Sequence, residues 1–162
     1  MFSDATTLFH CATAPATDRR LSRRLIDAWA RAARGHFPSW AAFQEMDLGD
    51  DWDWIFAIDI KRSAGFPFFV YVGDCLSKLS DVYLSGQTDF TLSLLDLAAS
   101  DMYAAAAGEA PHFREDVLTL FDGRRIQFRA VTAPLADDGS TVSHVVGAAN
   151  GRFVEQTPLR KV

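Results

Sequence analysis

Hydrophobic positions in this chain change their period along its length. From Leu21 to Ala32 they recur at helical spacing, as Leu21, Leu25, Ala28 or Trp29, and Ala32. Thr17-Asp18 offers an N-cap before them and Gly35 a stop behind them, which predicts a helix ending near Arg34. Between Trp54 and Ile60 the period falls to two. Trp54, Phe56, Ile58 and Ile60 line one face and Ile55, Ala57 and Asp59 the other, the pattern of a strand. A second apolar run, Phe66 to Val72, completes a hairpin, and Pro67 suits an edge strand or a strand beginning. The helical period returns at Phe90, Leu94, Leu97, Ala98, Met102 and Ala105. Thr88 or Asp89 caps it, Gly108 ends it, and Pro111 blocks its resumption. Shorter helical turns are expected at Asp74–Leu79 and from Pro38-Ser39 through Phe43.

Three strand-like runs close the chain: Asp116 to Phe121, Arg124 to Pro134 and Val142 to Gly147. Asp122-Gly123 joins the first two and Asp137-Asp138-Gly139-Ser140 the last two. Asp-Gly between β-rich runs is a strong hairpin signal, because the turn needs a positive φ that glycine adopts without a steric clash. The three runs therefore form an antiparallel meander. In its middle strand Ile126, Phe128, Ala130 and Thr132 alternate with Arg125, Gln127, Arg129 and Val131, so one side is apolar and the other faces water or a partner. Residues 1–36 read as a lead-in plus amphipathic helix, 37–150 as the domain body, and 151–162 as a weakly structured tail.

Composition narrows the classes. A chain of 162 residues, 49% apolar, suits one globular domain. The net charge of -5 argues against nucleic acid as a partner, which calls for a basic footprint. The charge is uneven: residues 1–35 hold six Arg against three Asp, and the rest holds ten basic and eighteen acidic residues. Cys11 and Cys75 form no motif, which fits two reduced thiols and a cytoplasmic setting. No apolar stretch approaches the roughly 20 residues that a membrane helix needs.

Catalytic and metal-binding signatures are missing. None of His10, His36, His112 and His144 stands three or four residues from another, so helical metal pairing fails. There is no G-x-S-x-G elbow, no P-loop and no dinucleotide-binding glycine pattern. Five carboxylates between Glu45 and Asp53 do not match a calcium loop, because the glycine is misplaced and no Glu closes it. His144 either lines or ligates within a pocket, or is an ordinary satisfied histidine. The residues support no haem or flavin, and any cofactor is unknown from the sequence.

The order helix, two strands, helical insert, three strands is that of the PAS domain. Pro38-Ser39, Asp47 and Trp54–Ile60 resemble the opening of a bacterial subfamily of small stand-alone PAS proteins. Phe69-Val70-Tyr71-Val72-Gly73 is similar to its second strand, and Ser85-Gly86 to its small-residue loop. Asp122-Gly123-Arg124, Ala133 to Gly139, Val142 and Val145-Val146-Gly147 are similar to its last three strands. Trp40 stands where that subfamily carries a basic residue, and Asp47 lacks its following Pro. The resemblance implies an α+β fold: a five-stranded antiparallel sheet, helices on one face, and an extra N-terminal helix. It implies sensing or protein–protein signalling and not catalysis. It also implies a homodimer through the N-terminal helix, with Leu21, Leu25 and Trp29 as interface candidates.

A sheet-to-helix cavity in such a fold would be lined by Phe56, Phe68, Met102, Leu118, Phe128 and His144. Those residues suit a small apolar ligand or a filled core. The expected function is a non-enzymatic PAS-type sensory or regulatory module in bacterial signal transduction, partnered by a signalling protein. The alternative is a small hydrolase or isomerase of the cone-shaped barrel type resembling nuclear transport factor. Asp59 and His144 would be its only plausible acid–base pair.

Overall fold

The computed structural model describes residues 17–34, 36–64, 66–82, 94–120 and 122–154. Helix α1 runs Thr17–Ala33, where the sequence pattern placed it. Arg34 follows with a positive φ of 45° and ends the helix. Helix α2, Trp40–Gln44, is capped by Ser39, whose Oγ accepts from the Ala42 amide at 3.0 Å. The acidic loop tightens into a 3-10 turn at Gly49–Trp54. Strand β1 is Ile55–Asp59 and β2 is Phe69–Val72. Helix α3 is Asp74–Val82.

One long helix was expected before Gly108, but the described part is two: α4, Leu94–Ala99, and α5, Met102–Gly108. The chain breaks at Ser100, whose amide and hydroxyl both donate to the Leu97 carbonyl. A serine that bonds back onto its own turn competes with the helical ladder. The expected cap at Thr88 or Asp89 and the loop at Ser85-Gly86 lie outside the described residues.

The meander follows as β3, His112–Thr119, β4, Arg125–Leu135, and β5, His144–Phe153. Gly123 and Gly139 carry the positive φ, 86° and 83°, that the two turns require. Strand β5 is longer than the sequence suggested. Its last residues pair with the start of β4, Phe153 opposite Ile126, so 151–153 belong to the sheet and not to a tail.

All five strands form one antiparallel sheet in the order β2-β1-β5-β4-β3. The first hairpin therefore docks beside the last strand of the meander, Phe56 opposite Gly147 and Asp59 opposite His144. Strict antiparallel register assigns side chains to faces. Phe56, Ile58, Gly147, Ala130, Phe128, Ile126 and Leu118 share one face, the inner one. Ile55, Ala57, Val146, Ala148, Val131 and Ala133 share the outer one.

Both faces are covered: the insert helices take one, as expected, and the extra N-terminal helix takes the other. Helices α4 and α5 lie over the inner face, where Arg114 and His112 of β3 reach Ser100 and Asp101 at their junction. Helix α1 lies against β4 and β5 on the outer face. Its Leu21, Leu25 and Ala28 are at most 2% exposed and join the same apolar core as the strands. This second layer explains why β4 alternates at its start and then buries every residue from Ala130 to Leu135.

Candidate functional site

The six pocket candidates separate into three groups. Phe56, Met102, Leu118 and Phe128 come together in the contiguous apolar core beneath the insert helices. The Phe56 ring lies directly over Gly147: a Cβ there would overlap that ring and come within 2.8 Å of the Val131 carbonyl oxygen. A large aromatic ring seated on a glycine fills interior volume that a ligand would otherwise need. The Phe56 ring also meets Phe69 edge-on at 6.1 Å. Arg114 spans the rim of this region with its guanidinium 5.9 Å from the Phe128 ring.

Phe68 does not belong to that interior. It is 43% exposed, and the Arg62 guanidinium covers its ring at 5.3 Å. Its carbonyl accepts from the Asp59 amide, which places it beside an outer-face residue of β1. Simple alternation back from Val72 would turn Phe68 inward, but β2 has a register shift, with Ala57 opposite Tyr71 and Ile58 opposite Phe69. Val70 is the extra residue.

His144 is also not in the interior. The register that sets Phe56 inward sets Asp59 and His144 outward, at the end of the sheet. There His144 Nε2 lies 3.8 Å from Asp59 Oδ2, and Nδ1 lies 3.6 Å from Asp137 Oδ2 and 2.9 Å from Ser143 Oγ. Asp59 and His144 are therefore neighbours, as the enzyme alternative needed. They sit at the rim beside the β4–β5 turn, whereas an acid–base pair of that kind works over a deep apolar pocket. Among the described residues no cluster of His, Cys, Asp or Glu is arranged to hold a metal.

The interface candidates on α1 are also reassigned. Leu21 and Leu25 are buried within the chain itself, in the core they share with the sheet. Trp29 is half-buried against the same core, and its Nε1 donates to the Pro134 carbonyl at 2.7 Å. A two-point ion pair fixes the other side of the helix. Arg24 Nε and Nη2 donate to Asp51 Oδ2 and Oδ1 at 2.5 and 2.7 Å. The fork geometry matches the carboxylate, and it holds the Arg24 guanidinium above its ordinary value, against some desolvation.

Sequence reasoning missed that pair because Arg24 and Asp51 are 27 residues apart. Each looked like part of a solvated run of like charges. It also missed an aromatic corner beside α1. Trp52 meets Tyr71 edge-on at 5.4 Å and Phe43 at 5.7 Å, and Trp40 lies 6.2 Å from Trp52. Tyr71 Oη donates to the Trp52 carbonyl at 2.9 Å. Burial, then Asp53 and Asp74, push the Tyr71 hydroxyl above its usual value. Cys75, expected as a reduced thiol, is disulfide-bonded, and Cys11 lies outside the described residues.

Two strands, a helical insert and three strands, folded in the order β2-β1-β5-β4-β3, constitute a PAS fold. The chain is similar to a set of solved PAS and LOV structures. One is the blue-light photoreceptor Aureochrome1 LOV, at 16% identity and a TM-score of 0.43, over 64% of this chain and 83% of that one. Another is the PAS domain of Bordetella pertussis BvgS, at 16% identity and a TM-score of 0.37, over 67% and 77%. A third is the photo-excited blue-light photoreceptor Vivid, at 13% identity and a TM-score of 0.42, over 81% and 94%. The sequence matches no protein-family model and no curated protein.

Proposed function

We propose that this chain is a non-enzymatic PAS-type sensory or regulatory module that passes its signal by protein–protein contact in bacterial signal transduction. The carrying observation is the double cover of β4 and β5. The insert helices pack on one side of these strands and α1 on the other. A shift of the insert helices by a ligand or partner would repack a shared wall, and α1 would respond through Trp29 and Arg24. Packed layers transmit such shifts because interiors are dense and not fluid.

The interior favours recognition over a roomy ligand site, since Phe56 occupies the centre of the inner face on Gly147. A small apolar ligand near Met102, Leu118 and Phe128 remains part of the proposal and would enter by displacing side chains. The surfaces left over suit a second protein, and the acidic balance of the chain does not suit nucleic acid. No helix among the described residues is long and apolar enough to cross a membrane.

Native mass spectrometry of protein isolated gently from its host tests this reading. The expected result is a bound small molecule or a bound protein partner, with faster amide exchange across α1 when that species is removed. Turnover that survives purification and is abolished by Asp59→Asn or His144→Gln would overturn it in favour of the enzyme reading.

A further inference from the structure

Among the described residues the sheet has two edge strands with no further partner, β2 and β3, and their chemistry differs. Strand β3 is blunted by charge. Arg114, Glu115 and Asp116 run consecutively along it, and Asp116 Oδ1 takes the Val117 amide at 2.8 Å. The ladder alternates so that this amide points away from β4, because Leu118 and Asp116 are the residues that exchange bonds with Ile126 and Phe128. The Asp116 carboxylate therefore occupies a donor that a new strand would use.

The β2 edge carries no such charge. No residue from Ser63 to Gly73 is ionised at neutral pH. Phe66 is 82% exposed, Phe68 43% and Val70 39%, at alternate positions. Isolated exposed apolar residues are ordinary, but three in one short segment at a sheet edge mark an interaction site. Pro67 and the bulge at Val70 shorten the free ladder, so contact there is made by side chains more than by strand pairing.

We propose that this patch docks a second copy of the same chain across a two-fold axis near Val70. Two observations select that occupant. An uncharged apolar patch is complementary to itself, as an isologous contact requires. The charges that flank it are also complementary under a two-fold operation. Exposed Lys61 and Arg62 stand at its N-terminal end, and exposed Asp74 stands at its C-terminal end. Antiparallel apposition brings the basic end of each copy to the acidic end of the other. Arg62 lies 3.6 Å from the largely buried Asp59 and over the Phe68 ring, and Asp74 lies 3.4 Å from Lys78; the Arg62 and Asp74 side chains are themselves exposed, so each can exchange its present contact for one across the axis. The proposal goes beyond the sensory reading and does not depend on it, and its readout is oligomeric state alone.

Sedimentation equilibrium over a range of concentrations tests it. The contact is small, so the parent is expected to dimerise reversibly, at about micromolar concentrations or above. Val70→Asp places two carboxylates face to face at the axis and raises the dissociation constant at least about tenfold. Val117→Asp, on the opposite edge, leaves it unchanged. Arg62→Glu weakens the dimer, and Arg62→Glu combined with Asp74→Lys restores it. Circular dichroism checks each variant for folding, and the Arg62/Asp74 swap decides the matter if Val70→Asp does not fold. A parent that stays monomeric overturns the proposal. So do equal losses at Val70 and Val117, and so does a charge swap that fails to restore the dimer.

Discussion

The two faces of the sheet are packed by opposite strategies. On the inner face, large rings fill space left by small residues: Phe56 lies on Gly147, and Phe128 sits opposite Gly151. The partners come from segments far apart in sequence. On the outer face, the wall is made of Ala57, Val131, Ala133, Val146 and Ala148, and a single helix covers it with Leu21, Leu25 and Ala28. That helix is further pinned by one indole and one guanidinium. The inner face is thus a jigsaw with no slack, and the outer face is a lid with a few fasteners. The lid is therefore expected to open before the rest unfolds.

The sharpest way to break this contrast is to damage the inner face. Phe56→Ala is expected to cost about 3–5 kcal/mol, because a fully buried ring leaves a cavity over Gly147. Gly147→Ala is expected to cost about 1–3 kcal/mol from overpacking against that ring. If the two residues share one space, the glycine substitution costs markedly less in the Phe56→Ala background. Urea denaturation of the two single variants and the double variant measures this, and strictly additive losses would contradict the packing described.

On the outer face, Leu25→Ala is expected to cost about 2–4 kcal/mol, within the range for a buried leucine. Its distinctive signature is local. Amide exchange should quicken along α1 at substitution levels that leave β4 and β5 protected. Uniform loss of protection across both helical layers would show that α1 is no lid but part of one indivisible core.

The polar fastener is weaker. Arg24→Gln should destabilise by under about 1 kcal/mol, since the Arg24 side chain is 41% exposed and its pair is partly screened by solvent. The loss should shrink as salt is added and should be matched by Asp51→Asn. Thermal melts in low and high salt check both points. A salt-independent loss would mean that the arginine acts through its aliphatic stem.

The smallest effect concerns the rim of β3. The Val117 amide first, and then Arg114, hold the Asp116 carboxyl below its usual 3.8. A group depressed in the folded state contributes stability above that value and loses it as pH falls through the lower folded value. Asp116→Asn should therefore flatten the acid limb of stability below about pH 3.8 and change little at neutrality. Denaturation midpoints between acid and neutral pH, compared with the parent, test the sign.

Much of this fold was legible before any coordinates. The Asp-Gly turns, the capped α1 and the period change at Trp54 each rest on local chemistry, and local chemistry survives folding. What was not legible depended on tertiary company. The face that α1 covers could not be read, because an apolar stripe at Leu21 and Leu25 looks the same whether it meets its own sheet or another copy. Phe68 was misread because a one-residue bulge at Val70 reversed the alternation behind it. The short span assigned to β5 came from Ala148, Ala149, Asn150 and Gly151, whose weak strand preference was overridden by pairing along β4. The Asp59–His144 proximity was guessed as a pair but not as a rim feature, since register alone decides which way both point.

One consequence of the register is practical. Along β4 the even-numbered side chains address the chamber under α4 and α5, and the odd-numbered ones address α1. Stepping a substitution by a single residue therefore switches the audience of the perturbation while leaving strand, depth and neighbourhood almost constant. The two helical layers can be perturbed one at a time in this molecule by counting alone.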